Sequence, residues 1–194
     1  MNWFGRKGRR KGRVTSADKP IATLEPRRLR QAFGSFATGV TIVTTVDAAG
    51  CDVGITVNSL SSLSLDPPLL LWSLARSSSS YPAFQQARHF MVHVLDQSQA
   101  ALSRQFSARG TDRFAGVPIE RGADSCPMLL DYHARFECRL VRHHEGGDHL
   151  IVVGEILNIS QKPGKPLLFY RGCLTQLHDA GEDAGHAATS AASG

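Results

Sequence analysis

The sequence has no apolar run near the roughly 18 to 20 residues that a membrane-spanning helix needs. Its longest, such as Pro67 to Trp72, are short. It lacks G-x-G-x-x-G and G-x-x-x-x-G-K-[ST], which argues against a doubly wound dinucleotide fold and a P-loop NTPase. It also lacks the G-x-S-x-G elbow and any acid and base beside a nucleophilic serine, so serine hydrolysis is disfavoured. The four cysteines, Cys51, Cys126, Cys138 and Cys173, form no C-x-x-C pair and stand at no zinc-ligand spacing. They read as reduced thiols. His143 and His144 are adjacent, so in a strand they point apart, and no metal site is expected. The basic N-terminus runs into Thr15, Ser16, Asp18 and Lys19 rather than an apolar segment. No secretory signal is read, and a cytoplasmic location is expected.

Hydrophobic residues at 42% and charged residues at 20% suit a globular chain, and 194 residues suffice for one sizeable core. The formal charge of +5 raises the question of a nucleic-acid or acidic-surface partner. Six basic residues and no acidic one lie between Met1 and Arg13, which leaves the remainder with one net negative charge. The only aromatics beside those charges are Trp3 and Phe4, so neither nucleic acid nor membrane is expected as a partner. Residues 1–22 read as a basic disordered arm, 23–178 as the folded domain, and 179–194 as a low-complexity tail.

Within that domain, Leu29, Ala32, Phe33 and Phe36 recur at helical spacing, which predicts an amphipathic helix from Arg27 to Phe36 that ends near Gly39. Val40–Val46 and Val53–Val57 read as two strands joined by the turn Asp47-Ala48-Ala49-Gly50. Leu69–Leu74 reads as a buried strand after Asp66-Pro67-Pro68, Tyr81–Ala87 as a short helix, His89–Leu95 as a strand and Gln97–Phe106 as a helix. Three further strands are expected in 132–143, 150–160 and 167–177. About seven short strands and three short helices favour an antiparallel barrel over a parallel sheet.

Three stretches carry candidate chemistry. In an extended run through Asn58–Leu65, Ser62 and Ser64 share one face and the leucines anchor the other, which makes a hydroxyl wall able to hold a polar ligand. The same hydroxyls could instead only satisfy turn backbone. Gly39, in Thr38-Gly39-Val40-Thr41, permits close approach of a backbone or ligand. His149 follows the turn Gly146-Gly147-Asp148 at a strand mouth, where an imidazole could bond a carboxamide or phosphate, or stand solvated.

These residues together resemble the flavin reductase-like family. The resemblance rests on Phe36-Ala37-Thr38-Gly39-Val40-Thr41, then Thr56-Val57-Asn58-Ser59 through Ser64-Leu65-Asp66-Pro67-Pro68-Leu69, then Phe90-Met91-Val92-His93-Val94-Leu95, and Gly147-Asp148-His149, in that order. It implies a mainly β fold, an antiparallel split β-barrel that binds FMN or FAD, with a few short helices, acting as a homodimer. It implies hydride transfer to the flavin from NADH or NADPH, and delivery of reduced flavin to a flavin-dependent oxygenase component. The alternative on the same barrel is a flavin-binding protein without reductase activity. By the resemblance, Phe36, Ala37, Thr38, Gly39 and Val40 approach the flavin ring and ribityl chain. Thr56, Val57, Asn58, Ser59, Ser62, Leu63, Ser64 and Leu65 contact the ring and phosphate side. Val92 and His93 lie in the cofactor wall, and Asp148 with the catalytic His149 binds the nicotinamide nucleotide. Two departures stand out: His93 replaces the family's common asparagine, and the aromatic often found two residues after Gly172 is missing.

Overall fold

A computed structural model describes residues 25–178, so the expected arm at 1–22 and tail at 179–194 lie outside the described residues. β-Branched and apolar runs form the main strands: β1 Thr38–Gly39, β2 Thr41–Val46, β3 Asp52–Val57, β4 Ser61–Leu65, β5 Pro68–Ala75 and β6 His89–Val94. They continue as β7 Ile119–Arg121, β8 Pro127–Leu129, β9 Ala134–Gly146, β10 His149–Gln161, β11 Leu168–Tyr170 and β12 Cys173–Thr175. The helices are α1 Pro26–Phe33, α2 Tyr81–Gln86 and α3 Ala100–Ser107. The turn from β2 to β3 is fixed by the Asp47 carboxylate, which accepts from the Ala49 and Cys51 amides at 2.9 and 2.8 Å.

Seven strands make one antiparallel sheet in the order β3-β2-β6-β9-β10-β5-β4. Its two edge strands, β3 and β4, are consecutive in the chain and separated only by residues 58–60. In a flat sheet those edges would lie about 29 Å apart, at about 4.8 Å per strand spacing. The link spans at most about 14 Å. The sheet must therefore curl until its edges face each other, which makes a barrel with one unpaired seam. Ser59 ties the link to β5: its hydroxyl accepts from the Ser73 amide at 2.9 Å and donates to the Ser73 carbonyl at 3.2 Å.

Trp72, Phe84 and Phe90 fill the barrel, with Phe84 and Phe90 set edge-on to the indole at centroid distances of 5.0 and 6.1 Å. Gly154 allows this packing, since a Cβ there would lie 2.4 Å from Phe90 Cζ. A second apolar cluster, with Ile42, Leu95, Phe106 and Leu129, buries the outer faces of β2 and β6.

Several expectations need correction. The first helix ends at Phe33, because the chain must turn through 34–37 to bring Thr38 opposite Phe169. None of its residues is buried, so its apolar face is not packed on the barrel. Gln97–Gln99 is a separate 3-10 turn before α3, closed by a capping box between Asp96 and Gln99. The stretch read as one strand over 167–177 is the β11–β12 hairpin, turned by Arg171 and Gly172 at positive φ. The short β7–β8 pair was not foreseen. All four cysteines are free, and no His, Cys, Asp and Glu cluster able to hold a metal occurs among the described residues. No helix among them is long and apolar enough to cross a membrane.

Candidate active site

The pairing of β1 with β11 and of β11 with β12 builds a small sheet beside the end of β3. A cavity of about 710 Å³ opens there, bounded by Thr56, Val57 and Asn58, by Ser103, Arg104 and Ser107 of α3, and by Phe169 and Cys173. A second, of about 790 Å³, adjoins it and is bounded by Phe33, Phe36, Thr38 and residues 58–61. The two share Asn58, Phe169 and Gly172. Gly172 stands at φ 82, a conformation that favours glycine.

Several polar groups here are already committed to the fold. Thr56 Oγ1 donates to the Ser103 carbonyl at 2.7 Å, which ties β3 to α3, and Ser59 ties the link to β5. Thr38 Oγ1, by contrast, is buried without a hydrogen-bond partner on the wall of the second cavity. Such a hydroxyl costs about 1 to 3 kcal/mol until a ligand satisfies it. No carboxylate lines either cavity, while Arg30 and Arg104 do. An aromatic ring, amide and hydroxyl groups and positive charge, without an acid–base pair, fit a planar polar ring carrying phosphate. A flavin nucleotide is such a ligand.

Of the expected cofactor residues, Phe36, Thr38, Val40, Thr56, Val57, Asn58 and Ser59 line these two cavities. Ala37 and Gly39 flank them without lining either. Ser62, Leu63, Ser64 and Leu65 of β4 line neither. A register shift between Ser62 and Ser64 breaks the expected alternation, and Leu65 is 95% exposed, so the leucines do not anchor a serine wall.

Val92 and His93, expected in the cofactor wall, are fully buried. His93 Nδ1–H donates to the Ile42 carbonyl at 3.1 Å and Nε2 accepts from the Leu129 amide at 3.0 Å. Both ring nitrogens are used, so His93 is a strut between β2 and β8 rather than a ligand contact. Burial lowers its pKa from 6.5 to about 3.

Asp148 and His149 line neither cavity of the single chain. His149 Nδ1 bonds Asp148 Oδ1 at 2.7 Å, and this bond holds the Asp148 carboxyl below its ordinary pKa. The register places His149 opposite Ala75, two residues beyond Ser73, the partner of Ser59. In a flat sheet that is roughly 12 Å from Ser59.

Ser103, Arg104, Ser107, Phe169 and Cys173 were missed in the sequence. A detectable signal existed for the first three, whose i, i+1, i+4 spacing places polar groups on one side of a helix. None marked Phe169, which reaches the site only through the β1–β11 pairing.

A split barrel with a phosphate-ready, aromatic-walled cleft at its rim defines a flavin-binding class. Residues 33–178 match the flavin reductase like domain, and the chain belongs to that family. It is 47% identical over 148 residues to the FMN reductase (NADH) SmoA of Agrobacterium fabrum, covering 76% of this chain and 84% of that one. It is 39% identical over 155 residues to the flavin-dependent monooxygenase reductase subunit HsaB of Rhodococcus jostii, covering 79% of each. Among solved structures, the NADH:FAD oxidoreductase SgcE6 of Streptomyces globisporus, in complex with NAD and FAD fragments, superposes with a TM-score of 0.75 at 31% identity. That match covers 84% of this chain and all of that one.

Proposed function

We infer that this chain is an NAD(P)H-dependent flavin reductase, using FMN or FAD with NADH or NADPH and supplying reduced flavin to a partner oxygenase. The observation that carries this reading is the joined pair of cavities with the unpartnered Thr38 hydroxyl on their wall and no carboxylate in either. When bound, the flavin provides at N5 the acceptor for a hydride from C4 of the nicotinamide. The chain's own contribution is placement. Phe169 offers a ring for stacking, Thr38 and Asn58 offer hydrogen bonds, and Arg104 offers positive charge for phosphate. Asp148 fixes Nδ1 of His149, which leaves Nε2 free to orient the nicotinamide nucleotide.

A homodimer accords with the exposed apolar groups at the rim, among them Phe33 and Phe36 at 76% and 77% exposure. In it a second copy would complete the cleft and bring it within reach of His149.

The test mixes the protein under air with NADH or NADPH and with FMN, FAD or riboflavin, and follows loss of the reduced nicotinamide. Rapid flavin-dependent oxidation is expected. Clear flavin binding without turnover in any pairing would favour the non-enzymatic barrel.

A further inference from the structure

A third cavity, of about 590 Å³, borders the first two and is lined by Arg27, Arg30 and Gln31 of α1 and by Arg171 and Gly172 of the β11–β12 hairpin. The helical spacing of 27, 30 and 31 puts those three side chains on one face. Arg171 is brought to them by its amide, which donates to the Gly34 carbonyl at 2.8 Å and pins the hairpin tip to the helix end. The guanidinium of Arg171 lies 5.2 Å from the centre of the Tyr170 ring.

The charge here is uncompensated. No acidic residue lines the cavity, and none of the three arginines forms an ion pair among the described residues. Elsewhere Arg76, Arg121 and Arg139 each meet a carboxylate, Glu145, Asp52 and Glu155 respectively. The nearby backbone donors are already spent, Gly34 on the Arg30 carbonyl and Ser35 on the Ala32 carbonyl. What the cavity offers a ligand is therefore guanidinium groups, whose paired donors match phosphate oxygens. Arg30, Gly34 and Gly172 also line the second cavity, so the basic pocket continues the cleft rather than standing apart.

We propose that this pocket is a nucleotide phosphate subsite, receiving phosphate groups of the flavin nucleotide or of the nicotinamide nucleotide whose ring lies in the adjoining cleft. The proposal rests on the flavin reductase reading. It adds α1 and the hairpin tip to Arg104 as phosphate-binding elements, in place of the serines of β4.

The test uses the full chain with Arg30→Gln and Arg171→Gln combined, and Arg27→Gln separately. All three side chains are exposed, and glutamine keeps hydrogen bonding while removing charge; circular dichroism checks the fold. Dissociation constants are measured for FMN, FAD and riboflavin, and KM for NADH and NADPH is measured with riboflavin as acceptor. Weakening of FMN or FAD by about tenfold or more, with riboflavin unchanged, assigns the pocket to the flavin phosphates. A similar rise in KM for either nicotinamide, with flavin affinities unchanged, assigns it to that nucleotide. Equal weakening of riboflavin, or no change in any constant, overturns the proposal. If the wild-type protein binds flavins but turns over none, the function reading fails while the affinity comparison still decides the subsite. If it binds none of the three, both fall.

Discussion

Every residue from Val40 to Thr45 is buried, whereas no residue of α1 is, although the two segments lie only seven positions apart. In the buried region polar side chains serve the fold: the Thr44 and Thr45 hydroxyls donate to the Pro127 and His89 carbonyls, and His93 uses both nitrogens. At the rim Phe33 and Phe36 are bare, the Thr38 hydroxyl has no partner and the arginines have no counter-charge. The contrast separates two demands on one chain. The barrel wall satisfies its own polar groups apart from the buried Trp72 Nε1, and the rim is complete only with something bound.

The largest effect should come from acid. Below about pH 6.5 the unfolded chain protonates His93, while the native state, with its pKa near 3, does not. Stability should therefore fall as pH drops through that window, by on the order of 3 kcal/mol at pH 4 from this group. Urea unfolding at several pH values measures it. His93→Asn, whose amide also supplies a donor and an acceptor, should flatten the slope; an unchanged slope would mean that His93 is not the group responsible.

Gly154→Ala attacks the same wall sterically. With Phe90 Cζ 2.4 Å from the new Cβ, stability should drop by about 1 to 3 kcal/mol, seen as a lower Tm.

The rim should respond differently, losing function at constant Tm. His149→Ala should lower kcat/KM for the reduced nicotinamide by about tenfold or more, with flavin affinity retained. Equal turnover would remove His149 from the site. Thr38→Val should weaken flavin binding about fivefold, the scale of one neutral hydrogen bond. If binding improves instead, the hydroxyl faces no ligand group.

This contrast also explains what could be read from the sequence. Strands β2, β5, β6 and β10 were legible because β-branched and apolar runs between turns report burial directly. The β1–β11 pairing was not legible, since two residues carry no periodicity, and with it Phe169 and the hairpin tip stayed hidden. His93 was placed at the ligand because its position in a motif was visible, while its depth was not. Depth depends on β7, β8 and α3 covering the outer face of the sheet, which is a tertiary fact. Leu63 and Leu65 misled for the converse reason: alternation implied an anchored face, and an irregular register at an edge strand removed it.

Residues 58–60 join the two edges of the barrel and also supply part of the cleft. Closing the ring is thus a contact between near neighbours in the chain, with little loop entropy to overcome, even though the strands involved sit at opposite ends of the sheet order. The pocket has no independent existence before that closure. Its assembly during folding coincides with the zipping of the seam, so recovery of ligand affinity should follow the same clock as formation of the barrel itself.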